Sequence, residues 1–309
     1  MEGIRRLALR SSVIFLCLIC TTARAQSSRS ETVARVNGVE ITEADLEFEL
    51  MSNNLRGNQP AHVKRRKLDH LIEKELVLQH LKKMGIEPDR KFIDGQITRV
   101  KAIAKDAGVD ERTLLQRGFN DKRLRDFFAS WAMFRQYMST QITKEVLQKH
   151  FEANKSRFDG TEVRAAQIYL TVSTNAKDAD LKETRQKLLD IRQQIVQKQI
   201  SFADAARKWS HSSSSEDGGD IGFSRYDGPN SISIMSQAFS LKQGEVSQPF
   251  QTPFGMHLIT VLEIRPGQFV LEDVRPQVYQ QLEIQAWNKL ISDLKPKANI
   301  EYLKYADKE

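Results

Sequence analysis

Residues 252–261 read TPFGMHLITV and place one histidine in a run that is otherwise apolar. The apolar residues on both sides of His257 favour a strand over 255–264, which ends before the turn-forming Pro266-Gly267. A buried histidine is either a hydrogen-bonded core residue or half of a functional site, since its charge changes near neutral pH. The stretch alone leaves both alternatives open. A partner residue for His257 elsewhere in the chain would favour a functional site.

The first 25 residues differ from the rest of the chain. Arginines precede the apolar run Val13–Cys20, and Ala23-Arg24-Ala25 then places small residues at the spacing of a cleavage site. This pattern is typical of a secretory signal peptide, although a retained membrane anchor stays an alternative. We therefore expect a signal peptide over 1–25, cleavage after Ala25, and a protein located in the periplasm or cell envelope.

Composition indicates a globular protein with two domains: 309 residues, 40% hydrophobic and 28% charged. Both cysteines, Cys17 and Cys20, lie in the signal-like segment, so the processed chain would form no disulfide and no thiolate site. Processing lowers the net charge from +7 to about +4, a mild balance that disfavours nucleic acid as a partner. The basic run Lys64–Lys67 lies in a predicted helix and favours a solvated face.

Residues 26–158 predict a helical domain that begins with a hairpin. TVARVNGVEIT at 32–42 has Asn37-Gly38 at its turn. Apolar residues at helical spacing then predict helices at 60–84, 88–107, 110–117, 120–141 and 143–154. The fourth of these helices carries Phe127, Phe128, Trp131, Phe134 and Tyr137, which we expect to be core, with a groove for apolar peptides as the alternative.

The pattern changes at Thr161. A strand at 163–172, helices at 178–199, 201–210 and 232–240, a Ser/Gly-rich loop between the last two, and the strand at 255–264 follow in order. This order predicts an α+β unit with a small antiparallel sheet covered by helices. We expect the amphipathic helix at 271–294 and the extended piece at 298–303 to return to the first helical domain.

The chain lacks the short motifs of serine hydrolases, zinc metalloproteases and nucleotide-binding proteins. Its six histidines show no metal-ligand spacing, and His70 with Glu73 is better interpreted as a surface pair. We expect no cofactor and no metal.

Five segments between 163 and 264 occur in one order: RAAQIYL, FADAARKWS, GGDIGFSR, AFSLKQGEVSQPF and TPFGMHLI. Their order and spacing resemble a parvulin-type (PpiC-like) peptidyl-prolyl cis-trans isomerase domain. VARVNGVEITEADLE and the helices after it resemble the chaperone portion of SurA- and PrsA-type exported foldases. The resemblance implies a SurA-like chaperone domain over 26–158, a parvulin-like four-stranded antiparallel sheet with covering helices over 159–267, and a C-terminal helix and strand over 268–309 that pack back on the N-terminal domain.

The resemblance also implies the site residues. Parvulin sites carry two histidines, one on the first strand and one on the last; His257 matches the second, and Gln167 stands in place of the first. Strand alternation independently puts Gln167 on the less apolar face of its strand. The polar position that is Cys or Asp in active parvulins falls on Ser212. We expect His257 within hydrogen-bond reach of Gln167 and near Ser212, with the substrate held by Phe254, Ile234, Phe223, Asn230 and Phe239.

Such a site would act on an X–Pro bond, whose rotation has a barrier of about 18–20 kcal/mol. A pocket that removes water and grips the proline ring lowers the barrier without a covalent step. The sequence therefore predicts an exported peptidyl-prolyl isomerase and folding chaperone, whose partners are unfolded or proline-containing polypeptides, with peripheral association with the envelope left open. The alternative is a catalytically weak or inactive parvulin-fold chaperone, which Gln167, Ser212 and Ile234 favour.

Overall fold

The computed structural model describes residues 31–306, except 54, 56, 57, 107, 117, 118, 174–177 and 231. The predicted signal peptide over 1–25 lies outside the described residues. The chain divides into two compact units: the residues up to Lys144 together with those from Tyr279 onwards, and Glu145–Val278. Within the described part of the chain, no helix is long and apolar enough to cross a membrane.

The first unit contains a three-stranded antiparallel sheet in the order β2-β1-β7. Strands β1 (Thr32–Val36) and β2 (Val39–Thr42) form the predicted hairpin, and its turn residues Asn37 and Gly38 have φ of 52° and 85°. Strand β7 (Ile300–Tyr302) pairs with the free edge of β1. The end of the chain therefore completes the sheet that its beginning starts.

After the first helix, for which no span was predicted, the helices of this unit lie close to the predicted spans. They are α1 (Glu43–Ser52), α2 (Ala61–Lys83), α3 (Arg90–Asp106), α4 (Glu111–Gln116) and α5 (Asp121–Gln141). Phe128 and Phe134 of α5 are buried, and Phe127 and Trp131 pack partly buried against the same core as Phe128. The aromatic cluster of α5 is therefore mainly core, as the sequence predicts.

Part of the basic run on α2 faces the tail, so the prediction of a solvated face is wrong. The Lys64 ammonium donates to the Tyr305 hydroxyl at 3.2 Å and lies 3.4 Å from the Glu43 carboxylate. The Arg65 guanidinium lies 3.8 Å from the centre of the Tyr302 ring. No local pattern in α2 shows that the tail returns across it.

A buried carboxylate joins α1 to α2. The Glu49 side chain is 2% exposed, and its Oε1 lies 2.9 Å from His70 Nδ1 while its Oε2 lies 3.4 Å from Lys74 Nζ. Burial raises the pKa of Glu49, but Lys74 and His70 outweigh burial and hold the pKa of that carboxyl well below its usual range. The partner of His70 is therefore Glu49, and the expected surface pair with Glu73 is wrong.

The second unit is built on a four-stranded antiparallel sheet in the order β4-β3-β6-β5. Strands β3 (Glu162–Thr171) and β6 (Gly255–Arg265) form its centre, and β4 (Asp220–Arg225) and β5 (Phe250–Thr252) form its edges. This architecture confirms the predicted α+β class. The residue pattern had indicated only the two central strands, because β4 follows a glycine turn and β5 is three residues long.

Helices lie on both faces of this sheet. The unit contains α6 (Lys144–Ala153, from its second residue), α7 (Lys155–Phe158), α8 (Asp178–Val196), α9 (Phe202–Trp209), α10 (Ile232–Ala238) and the first turns of α11 (Leu271–Leu294). Ile168 and Leu258 pack with α8 and α9, whereas Ala165 and Ile259 pack with α10. Because side chains alternate along a strand, Gln167 and His257 lie on the face that α10 covers.

Candidate functional site

His257 lies between two aromatic rings on neighbouring strands. The register pairs it with Tyr169 on β3 and with Phe250 on β5. Its imidazole centre is 4.9 Å from that of Tyr169, at an interplanar angle of 25°, and 5.4 Å from that of Phe250, at 21°. Directly paired residues share a face of the sheet, so the three rings form one row across it.

The imidazole has one hydrogen bond and one unpaired nitrogen. His257 Nε2 lies 2.9 Å from the Thr252 hydroxyl, whereas Nδ1 is buried without a hydrogen-bond partner. The residue is 4% exposed, and burial lowers the pKa of His257 from 6.5 to about 4, because desolvation disfavours the charged form. At neutral pH the ring is therefore uncharged, and its Nδ1 has no hydrogen-bond partner among the described residues.

Gln167 is held by a serine-rich loop. Its amide Nε2 donates to Ser212 Oγ at 3.1 Å, and Ser212 Oγ lies 3.0 Å from Ser214 Oγ. The loop comes this close because Gly219 has φ of 85° and no side chain; a Cβ there would lie within 2.4 Å of the Gln167 carbonyl oxygen. Gln167 Oε1 is buried and unpaired.

The expected hydrogen bond between His257 and Gln167 is not formed, and that expectation is wrong. Gln167 pairs with Ile259 and His257 with Tyr169, so the two side chains are diagonal neighbours. Each bonds to a hydroxyl instead and leaves one polar atom unpaired, Gln167 Oε1 and His257 Nδ1. An unpaired buried polar atom costs about 1–3 kcal/mol, so a ligand that supplies the missing partner is stabilised.

Apolar side chains lie on the same face. Ile234 and Phe239 pack, partly buried, against Met235 and Ile259 together with Ile221 and Phe250. Phe254 lies at the turn between β5 and β6 and is 68% exposed. Asn230 lies in the loop between β4 and α10 and is partly buried.

Phe223 is placed differently from the expectation. It pairs with Arg164, and the Arg265 guanidinium lies 3.6 Å from the centre of its ring. The neighbouring pair, Val163 and Ser224, points to the opposite face, where Val163 packs with α10. Phe223 therefore does not wall the site, because the register of β4 turns it to the other side of the sheet.

Sequence reasoning missed four residues that the structure brings to this face: Tyr169, Ile221, Phe250 and Thr252. Tyr169 and Gln167 lie on one face of β3, so strand alternation contained a signal for Tyr169. Ile221, Phe250 and Thr252 belong to edge strands that the pattern did not identify.

Two protein-family models match the chain. The SurA-like N-terminal domain model matches residues 7–148, and the PPIC-type PPIASE domain model matches residues 168–263. The chain carries a PpiC-type PPIase domain behind a SurA-like N-terminal domain. The PPIase match includes His257 and Ser212 and begins one residue after Gln167.

Curated relatives are foldases. Foldase protein PrsA of Clostridium kluyveri is 26% identical over 333 residues and covers 94% of both chains. Foldase protein PrsA of Clostridium botulinum is 25% identical over 310 residues and covers 89% of both. These matches confirm the predicted resemblance and the predicted class of enzyme, a peptidyl-prolyl cis-trans isomerase with a chaperone domain. The two families bind unfolded or proline-containing polypeptides, which confirms the expected class of partner.

Solved structures that match the chain include a PpiC-type peptidyl-prolyl cis-trans isomerase domain and PrsA from Bacillus anthracis. The first is 21% identical with a TM-score of 0.31, and covers 36% of this chain and 98% of its own. The second is 18% identical with a TM-score of 0.37, and covers 74% of this chain and 96% of its own.

Proposed function

We propose that the second unit isomerises X–Pro bonds on the α10-covered face of its sheet, and that the first unit holds the unfolded polypeptide. One observation carries the assignment of the site. His257 and Gln167 each have a buried polar atom without a partner, on the face where Ile234 and Phe239 are only partly buried. Apolar side chains beside unpaired polar atoms suit a proline ring attached to a polar imide.

The mechanism needs no covalent step. Ile234, Phe239, Phe254 and Asn230 would hold the proline and its neighbours, and their packing would remove water from the imide. Water stabilises the planar, charge-separated amide, so a dry site favours the twisted geometry. Neutral His257 and the Gln167 amide would supply hydrogen bonds to the twisted imide, and Ser212 would orient Gln167. A preference for the twisted form of about 4 kcal/mol gives roughly a thousandfold rate increase.

The alternative function is chaperoning without turnover. Gln167 supports it, because an amide keeps a hydrogen bond but does not titrate as a second histidine would. In that case the same face binds proline-containing segments and leaves their exchange rate unchanged.

Cis–trans exchange of a proline peptide, measured by NMR with the full chain, tests the proposal. His257→Phe keeps a ring between Tyr169 and Phe250 and removes both imidazole nitrogens. We expect wild-type protein to accelerate exchange and His257→Phe to lose at least about tenfold of that acceleration while remaining folded. Binding without acceleration by the wild type would reject the isomerase and select the chaperone.

The proposed location is the periplasm or cell envelope, with peripheral association with the envelope. Its support is the arginine, apolar and small-residue pattern over 1–25. The proposed domains are 26–158, 159–267 and 268–309. N-terminal sequencing of exported protein should find Gln26 first, and an intact Met1 would indicate a retained anchor.

A further inference from the structure

The most exposed of the large apolar side chains in the described residues lies at the edge of the candidate site. Phe254 is 68% exposed, in the turn two residues after Thr252, whose hydroxyl contacts His257. Exposing apolar surface to water is unfavourable. Turn tips usually carry small or polar residues, so an exposed phenylalanine beside a site indicates a binding contact.

The backbone of Phe254 is held at both of its polar atoms. Its N–H donates to the Thr252 hydroxyl at 3.2 Å, and its carbonyl oxygen accepts from the Tyr169 hydroxyl at 2.6 Å. The Tyr169 ring fits beside the turn because Gly255 has no side chain; a Cβ there would lie 2.8 Å from Tyr169 Cε2. The phenylalanine is therefore presented to solvent by a turn that is tied to a central strand.

Three segments meet beside this turn: residues 169–171, 210–212 and 252–255. The His211 N–H donates to the Tyr169 carbonyl oxygen at 2.7 Å, and Thr171 pairs with Gly255. None of the residues in these segments is lysine, arginine, aspartate or glutamate. A charged substrate side chain would find no carboxylate, ammonium or guanidinium partner among them, and His211 is their one imidazole, whereas an apolar side chain would cover the Phe254 ring.

We propose that Phe254 and Tyr169, together called the aromatic rim, select polypeptides with an apolar side chain next to the proline. The inference rests on the proposed function, because that function places the proline on the adjoining face. Phe254 makes the contact with the substrate, and Tyr169 is a positioning residue that holds the turn through its hydroxyl. Aromatic side chains are well suited to this role, because they bury a large area with few rotatable bonds.

Two peptide series test the rim with the full chain. One series varies the residue before proline and the other the residue after it, each through Leu, Phe, Ser and Glu. Fluorescence anisotropy gives the dissociation constants, and NMR exchange on the same samples gives turnover. We expect wild-type protein to bind the Leu and Phe peptides about tenfold more tightly than the Ser and Glu peptides in at least one series.

The variants separate contact from positioning. Phe254→Ser should remove the preference, so that the affinities for the Leu and Phe peptides fall by about tenfold relative to the affinity for the Ser peptide. Tyr169→Phe keeps the ring and removes the hydroxyl, so it should reduce the preference without unfolding the protein. Val196→Ser is the matched control, since Val196 is 56% exposed at the end of α8, and it should change nothing.

Each outcome decides. If the wild type shows no preference, the proposed role of the aromatic rim is overturned, even if turnover is normal. The same holds if Phe254→Ser weakens the binding of all peptides equally or of none. A preference that Phe254→Ser removes supports the aromatic rim even if no peptide is isomerised. The absence of isomerisation would reject only the isomerase proposal.

Discussion

The Nε2 atom of His257 lies 2.9 Å from the Oγ1 atom of Thr252, across the β5–β6 hairpin. The same hydroxyl accepts a hydrogen bond from the Phe254 N–H at 3.2 Å, and its contact with the Gly255 carbonyl oxygen is long, at 3.5 Å. The Thr252 hydroxyl is therefore better placed to donate its proton to Nε2 than to the Gly255 carbonyl oxygen. With Nε2 as the acceptor, the proton of the neutral imidazole is on Nδ1. One threonine thus connects the site histidine to the exposed turn.

Thr252→Val should weaken both activity and stability. It leaves His257 Nε2 buried and unpaired, which costs about 1–3 kcal/mol of unfolding free energy. Without the threonine the proton of the ring is free to move between its nitrogens, so we expect cis–trans exchange to slow by about tenfold. Denaturant titration and NMR exchange measure the two effects. Thr252→Ser keeps the hydroxyl and should restore both; full activity of the valine variant would contradict the link.

His257 should make the second unit less stable in mild acid. Its pKa is lowered from 6.5 to about 4 by burial, so the unfolded chain takes up a proton at a higher pH than the folded one. Stability is unaffected above about pH 6.5, falls as pH decreases toward about 4, and stops falling below that value. Urea titrations at a series of pH values check this. His257→Phe removes the titrating group, and an equal decline in that variant would assign the effect elsewhere.

Gln167→His should raise the isomerase rate. A histidine there would place a second imidazole beside Ser212 on the face of His257 and restore the pair that parvulin sites carry. NMR exchange on a proline peptide measures the gain. Gln167→Leu, which loses the hydrogen bond to Ser212, is the opposing variant and should lower the rate. If neither variant changes the rate on folded protein, Gln167 takes no part in turnover.

Glu49→Ala should destabilise the first unit. The change leaves Lys74 and His70 without their buried partner, and breaking a buried ion pair in this way costs about 3–5 kcal/mol. Glu111→Ala is the matched control, because Glu111 is 69% exposed in its pair with Lys101. The control should cost at most about 1 kcal/mol in the same denaturant titration. Equal effects of the two variants would argue against the buried cluster.

Deleting residues 295–309 should destabilise the first unit and leave the second folded. The deletion removes β7 from the edge of β1, and it removes Tyr302, whose hydroxyl donates to Asp69 at 2.8 Å. It spares Phe269, whose N–H donates to the Asp159 carbonyl oxygen in the second unit. Differential scanning calorimetry should show one lowered transition, and two unchanged transitions would contradict a stabilising role of the tail.

The amino-acid sequence by itself determined the local structure and the family. Apolar spacing located the long helices and the two central strands, because helical and strand periodicities are properties of consecutive residues. Alternation also placed Gln167 on the correct face of β3. The five ordered segments were enough for the PpiC-type resemblance, because the order and spacing of segments are read directly from the chain.

Only the tertiary structure decided the partners of the site residues. Thr252 bonds His257, Ser212 holds Gln167, Phe223 turns away with β4, and Glu49 replaces Glu73 as the partner of His70. Each of these pairings depends on the register of an edge strand, on a loop that returns through a glycine turn, or on the packing of two helices. Periodicity specifies which face of a strand a residue occupies. The register between distant segments is set by packing across the whole sheet, so the contacts of His257 depend on the pairing of β5 with β6.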